Sequence, residues 1–189
     1  AAAAPATEAA PEPAPATEAA APAPAENAPA GDAAAPPAAE GAWTAGTRLE
    51  MTSFEEGLKG SWYAVEVVRE DADDASLVVR YCGEHTGEES AAKARLRPTP
   101  PASPPGWEKK LVRGDGCELW YQDGWWEVKF LARERGKLSV LSEQYHITHS
   151  VSASALRPGW KRNAGEWACV LGGKQLATEA ELRALAAQQ

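Results

Sequence analysis

The sequence predicts an all-β fold built from two small barrels in tandem, and three observations predict it. Short runs rich in Val, Leu, Tyr and Trp alternate with turn signals, the mark of strands joined by tight connections. The runs repeat. Trp62-Tyr63 aligns with Trp125-Trp126, Val79-Arg80-Tyr81 with Val140-Leu141-Ser142, and Leu96-Arg97-Pro98 with Leu156-Arg157-Pro158, at offsets of 63, 61 and 60 positions. A shared offset with small drift indicates a duplicated unit of about sixty residues. Finally, one such unit alone buries a low fraction of its surface, so two packed face to face are the stable arrangement.

Residues 1–46 stand apart. They are Ala, Pro, Glu and Thr in imperfect repeats, with proline too frequent for a helix and little apolar surface to bury, so a disordered tail with polyproline II stretches is expected. Trp43 is its one large aromatic. From Thr47 the chain alternates, with Leu49 and Met51 on one side and Arg48 and Glu50 on the other, a strand pattern. Thr52 to Gly60 is a loop. Ser61 to Arg69 is the second strand, Asp71, Asp73 and Asp74 mark a turn, and Leu77 to Cys82 is the third. A polar loop, Gly83 to Ser90, leads to a weak apolar segment, Ala91 to Arg97. Prolines 98, 100, 101, 104 and 105 then make a linker over 99–112.

The pattern returns in the second half. Strands are expected at Gly116 to Tyr121, Trp125 to Arg133, Lys137 to Leu141 and Gln144 to His149, with turns at Asp123-Gly124 and Arg135-Gly136. Leu156-Arg157-Pro158 closes the unit, and Glu166 to Val170 reads as a short last strand. Thr178-Glu179-Ala180-Glu181 matches a capping box, which predicts a short helix over 179–187. The domain boundaries expected are a tail at 1–46, a barrel at 47–98, the linker at 99–112, a second barrel at 113–170, and a C-terminal tail with its helix at 171–189.

Charge narrows the function. The chain of 189 residues has a net charge of -8, and six of its acids lie in residues 1–46, which hold no Lys or Arg. The remainder is nearly neutral, which disfavours a nucleic-acid binder while leaving room for a local basic strip, of which Lys109-Lys110 with Arg113 and Arg157 with Lys161-Arg162 are the candidates. The three cysteines, 82, 117 and 169, have no metal-ligand spacing and read as buried free thiols in a reducing compartment. His85, His146 and His149 lack a ligand or triad pattern, so no metal, no cofactor and no enzymatic activity are expected. No apolar run is long enough to span a membrane.

Particular motifs carry a resemblance. Glu55-Glu56-Gly57-Leu58-Lys59-Gly60-Ser61-Trp62-Tyr63-Ala64, the Leu96-Arg97-Pro98-Thr99-Pro100-Pro101 linker, and Tyr121-Gln122-Asp123-Gly124-Trp125-Trp126-Glu127 resemble, in order and spacing, a plant-type tandem Agenet pair over roughly residues 47–170. The resemblance implies two Tudor-like (SH3-like) barrels and a nuclear reader of histone tails, often of methylated lysine on histone three. It leaves RNA binding or a protein-interaction scaffold, with other chromatin proteins as partners, as alternatives.

Methyl-lysine recognition has a defined chemistry. Methylation keeps the ammonium charge but removes hydrogen-bond donors, and aromatic faces attract such a cation by about 0.5–2 kcal/mol per contact. Rings arranged as walls favour it over free lysine, whose lost water they cannot replace. The candidate cage is Phe54, Trp62, Tyr63 and Tyr81, with Glu55 and Glu56 as acidic contacts. Strand alternation puts Trp62 and Tyr63 on opposite faces, so Tyr63 and Tyr81 are the favoured walls and Trp62 is either wall or core. In the second repeat Trp120, Tyr121, Trp125 and Trp126 crowd one turn, two of them facing inward. Ser142 stands where the family pattern has an aromatic, with Tyr145 as a substitute from the next strand.

Overall fold

The computed structural model describes residues 43–72, 75–83, 87–163 and 165–177. Their regular structure is almost all strand. β1 (Arg48–Thr52), β2 (Ser61–Glu70), β3 (Ser76–Tyr81), β4 (Glu88–Ala92) and β5 (Leu96–Pro98) form a first unit. β6 (Gly116–Tyr121), β7 (Gly124–Glu134), β8 (Lys137–Ser142), β9 (Ile147–Val151) and β10 (Leu156–Pro158) form a second. β11 (Lys161–Asn163), β12 (Glu166–Leu171) and β13 (Lys174–Ala177) make a separate three-stranded sheet. Three short 3-10 turns are the helical content among the described residues.

The sequence repeat is a repeat of hydrogen-bond registers. In each unit the first strand pairs antiparallel with the second and the fifth, the second with the third, and the third with the fourth. Each long second strand carries a register shift at the same place, between Val67 and Arg69 in β2 and between Phe130 and Ala132 in β7. An extra residue there bends the strand, so that its first half pairs with one neighbour and its second half with another.

β2 and β7 join the units. They pair antiparallel with Ser61 opposite Trp126, Trp62 opposite Trp125 and Tyr63 opposite Gly124. The strand order β10-β6-β7-β2-β1-β5 follows. Directly opposed residues share a face, and successive residues alternate. One face therefore carries the two apolar clusters. Leu49, Met51, Val65, Val67, Leu77, Val79, Ala91 and Leu96 fill the first, and Cys117, Leu119, Val128, Phe130, Leu138, Val140, Val151 and Leu156 belong to the second. The other face carries Glu50, Trp62, Arg97, Glu118, Trp125 and Arg157.

The structure moves several expected boundaries. Trp43 is buried in the first cluster, and Gly46 N donates to Val67 O at 2.8 Å, so the packed part starts before Thr47. The 99–112 linker is a packed segment: its Trp107–Lys110 turn places Trp107, with the following Leu111, in the second cluster. The strand expected at Gln144 to His149 is a turn over 143–146 followed by β9, because His146 takes a φ of 54°, which no extended strand permits. Segment 171–189 begins as strand, since Leu171 still belongs to β12 and β13 pairs with β12 from Leu171–Lys174 to Ala168–Ala177. Trp160, Trp167, Cys169 and Leu171 bind this small sheet to the second cluster. The expected disordered stretch up to residue 42, the 179–187 helix, and Asp73, Asp74 and His85 lie outside the described residues.

Candidate functional site

The apolar face of β2 ends in two tyrosines. Tyr63 and Tyr81 are half-buried, with ring centroids 6.3 Å apart and planes at 77°. Val65 opposite Tyr81 in the β2–β3 register puts both rings on this face. Tyr63 rests on the second unit: a Cβ added at Gly124 would lie 2.8 Å from its Cε1. Tyr81 Oη donates to Glu89 Oε2 at 2.9 Å, and Glu89 also meets Arg95 Nη1 at 3.2 Å. Burial, with help from Glu89, pushes the Tyr81 phenol up to about 12, and Glu55 adds to the rise. Burial likewise raises Tyr63, and Tyr145 and Asp123 of the second unit add to it. Both rings therefore stay neutral near pH 7. Phe54, on the loop between β1 and β2, is 68% exposed, and Glu55 and Glu56 follow it in solvent.

Trp62 is not among these rings. It lies on the opposite face, where the Arg97 guanidinium carbon sits 3.6 Å from its ring centroid. Its partner across the seam, Trp125, lies 4.2 Å from that of Arg157 in the same way, and Trp120 packs edge-on to Trp125 at 5.3 Å. The aromatic turn of the second unit is thus divided. Trp120 and Trp125 face the charged side, while Tyr121 and Trp126 face the core, with centroids 6.4 Å apart. Trp126 is buried and its Nε1 donates to Tyr121 O at 2.7 Å. Tyr145 packs on Trp126 at 5.8 Å and His149 on Tyr121 at 5.6 Å. Ser142, at the register position of Tyr81, is buried.

Between the tryptophans lies a cluster that sequence reasoning missed. Arg97 reaches Glu50 Oε2 at 2.7 Å and Glu118 Oε1 at 3.0 Å, while Arg157 reaches Glu50 Oε1 at 2.7 Å and Glu118 Oε2 at 2.5 Å. Each arginine touches a carboxylate from both units, and all four side chains are at most 10% exposed. Burial pushes the Glu118 carboxyl up, opposed by the two arginines. The signal available in the sequence was the repeated Leu-Arg-Pro together with a glutamate inside each first strand.

A groove of about 310 Å³ runs along the outer side of β7, lined by Lys59, Glu127, Lys129, Gln144, Tyr145 and Lys161 among others, and Lys129 pairs with Glu143 at 3.1 Å. Tyr63, Tyr81 and Phe54 do not line it. Among the described residues no three His, Cys, Asp or Glu converge as a metal site requires. Cys117 and Cys169 are buried, and burial pushes their thiols up to about 12 and about 11.

Comparison with known proteins places this arrangement. Residues 46–101 match the Agenet domain. The chain is 33% identical over 108 residues to Protein AGENET DOMAIN (AGD)-CONTAINING P1 of Arabidopsis thaliana, a match covering 50% of this chain and 21% of that protein. The match thus spans about a fifth of the length of that curated relative. The fold of this chain resembles the crystal structure of Arabidopsis thaliana AGDP1 AGD34, with a TM-score of 0.59 and 25% identity over 66% of this chain and 88% of that one. It also resembles ADCP1 tandem Agenet domain 3-4, with a TM-score of 0.58 and 22% identity over 68% and 89% of the two chains. The all-β, Tudor-like architecture expected from the sequence is the one these structures share.

Proposed function

We propose that the chain is a nuclear chromatin reader that binds a histone tail, with methylated lysine of histone three as its target. In this reading β1–β5 and β6–β10 are two Tudor-like barrels in tandem, and the first holds the cage. The observation that carries it is the pair of half-buried tyrosine rings, 6.3 Å apart and nearly perpendicular. Perpendicular rings offer two π faces to one cation, and the exposed Phe54 on the β1–β2 loop is the candidate third wall. Glu55, Glu56 and Glu89 give the site a negative rim suited to a basic tail.

Trp62 leaves the set of walls in this proposal, since its face already holds Arg97. The second barrel braces the first: Gly124 supports the Tyr63 ring, and Tyr145 Oη donates to Lys59 O at 3.1 Å. Its own pocket has Ser142 where the first has Tyr81, one wall fewer. Stacking of single-stranded RNA draws less support, because the ring faces of Trp62 and Trp125 are covered by arginines.

The test is an anisotropy titration with histone-three tail peptides, unmodified and methylated at each lysine in turn. A methyl-dependent gain at one site is expected. Equal affinity for all peptides would remove the reader function and leave the fold untouched.

A further inference from the structure

We infer a second binding surface, on the β6–β13 part of the molecule, for the phosphate backbone of double-stranded DNA. Three segments distant in sequence build it. The Trp107–Lys110 turn at the end of the proline linker and the residues that follow bring Lys109, Lys110 and Arg113. The β7–β8 turn brings Arg133, Arg135 and Lys137, and the β12–β13 turn brings Lys174. Backbone chemistry holds them together. Arg133 Nη2 donates to Glu108 O, and to Leu111 O at 3.1 Å, which ties the β7–β8 turn to the first segment. Gly114 N donates to Phe130 O at 2.8 Å in the same region. The Asp115 carboxylate accepts from Val112 N at 2.9 Å, Gly172 N at 2.7 Å and Gly173 N at 3.2 Å, which ties in the β12–β13 turn.

The charges so assembled are one-sided. Six of the seven cations are exposed and Lys110 is half-buried, and among the described residues no ion pair joins any of them to a carboxylate. The acids on these segments are Glu108 and Glu134, together with Asp115, which is buried and occupied by three amides. Net charge of the whole chain conceals this. Residues 43–106 hold 7 Lys or Arg and 11 Asp or Glu, a net of -4, whereas residues 107–177 hold 11 and 8, a net of +3. A molecule polarised in this way attracts a basic tail at one end and a polyanion at the other.

The surface favours a duplex over a single strand. Single strands are gripped through exposed rings on which bases stack. The aromatic residues within these segments, Trp107 and Phe130, are 5% and 3% exposed. What remains is contact with phosphates, which a double helix presents at high density. The inference does not depend on the proposed cage, whose residues belong to the other unit.

The test is a titration of the full chain with labelled duplexes of two unrelated sequences, from low to physiological salt. Both duplexes should bind, and the logarithm of affinity should fall against that of salt with a slope of about -3 to -5, for three to five neutralised phosphates. The combined variant Lys109→Glu, Arg135→Glu, Lys137→Glu should weaken duplex binding at least about tenfold, with an unchanged unfolding midpoint and unchanged peptide binding. No binding at the lowest salt, unchanged affinity in the variant, or a preference for single-stranded RNA of equal length would each overturn the inference. A chain that binds duplex but no histone peptide would retain this surface and lose the cage.

Discussion

Gly124 shows how a single residue couples the two units. It faces Tyr63 across the seam, and an added methyl would lie 2.8 Å from that ring, so the ring or the strand must move. Gly124→Ala should therefore cost about 1–3 kcal/mol by overpacking and should weaken methyl-peptide binding as the ring is displaced. Urea unfolding and a peptide titration on the same variant check both parts. His149 offers a pH signature. Burial against Tyr121 holds its pKa below the usual 6.5. The folded chain then binds fewer protons at this site than the unfolded one, so the stability it contributes is complete above about pH 6.5 and is lost as pH falls below it. A stability–pH profile should lose part of its acid slope in His149→Phe; an unchanged slope would place the titration elsewhere.

At the scale of elements, β1 to β3 and β6 to β8 were legible in the sequence as runs of β-forming residues between turn signals, whereas β4 fell in the stretch read as a polar loop and a weak apolar segment; the repeat was legible because its motifs stand on corresponding strands. The charge cluster was not. Glu50 and Glu118 sit at alternate positions, which pattern alone assigns to solvent, and only the pairing of β2 with β7 turns that face into an interior. The same pairing decided Trp62, which alternation left open between wall and core. The turn at 143–146 escaped because His146 lies in the left-handed region without glycine to signal it. β13 and the packing of Trp160 and Trp167 escaped because nothing local says where a short strand docks. The rings proposed as a cage were chosen from residue types alone, while the contact between Gly124 and Tyr63 needed the fold. Removing one member of the charge cluster tests its importance. Glu118→Ala leaves two buried arginines facing one carboxylate and should cost about 3–5 kcal/mol, whereas Glu66→Ala, on a partly exposed site, should cost little. Chemical denaturation of the two variants makes the comparison.

The whole molecule behaves, on this account, as one folding unit. The β2–β7 pairing, which sets Trp62 opposite Trp125, and the four shared charges cross the boundary between units. Residues 43–106 alone would expose Trp62 and leave Glu50 and Arg97 without their partners in Glu118 and Arg157. The intact chain should unfold in one transition seen equally by tryptophan fluorescence and circular dichroism, and the isolated 43–106 fragment should show no cooperative transition. Two separate transitions, or a stable fragment, would show the units to be independent. In the proposed function this rigidity would set a tail held in the first unit against a second unit whose position is fixed.

The cage itself is tested by the ratio of affinities for methylated and unmodified histone-three peptide, measured by calorimetry in the intact chain and in Tyr81→Ala. Removal of one wall should reduce the methyl preference by about 0.5–2 kcal/mol, roughly two- to thirtyfold in the ratio, while affinity for the unmodified peptide changes little. A ratio near one in the intact chain, or one that survives Tyr81→Ala unchanged, would contradict the account.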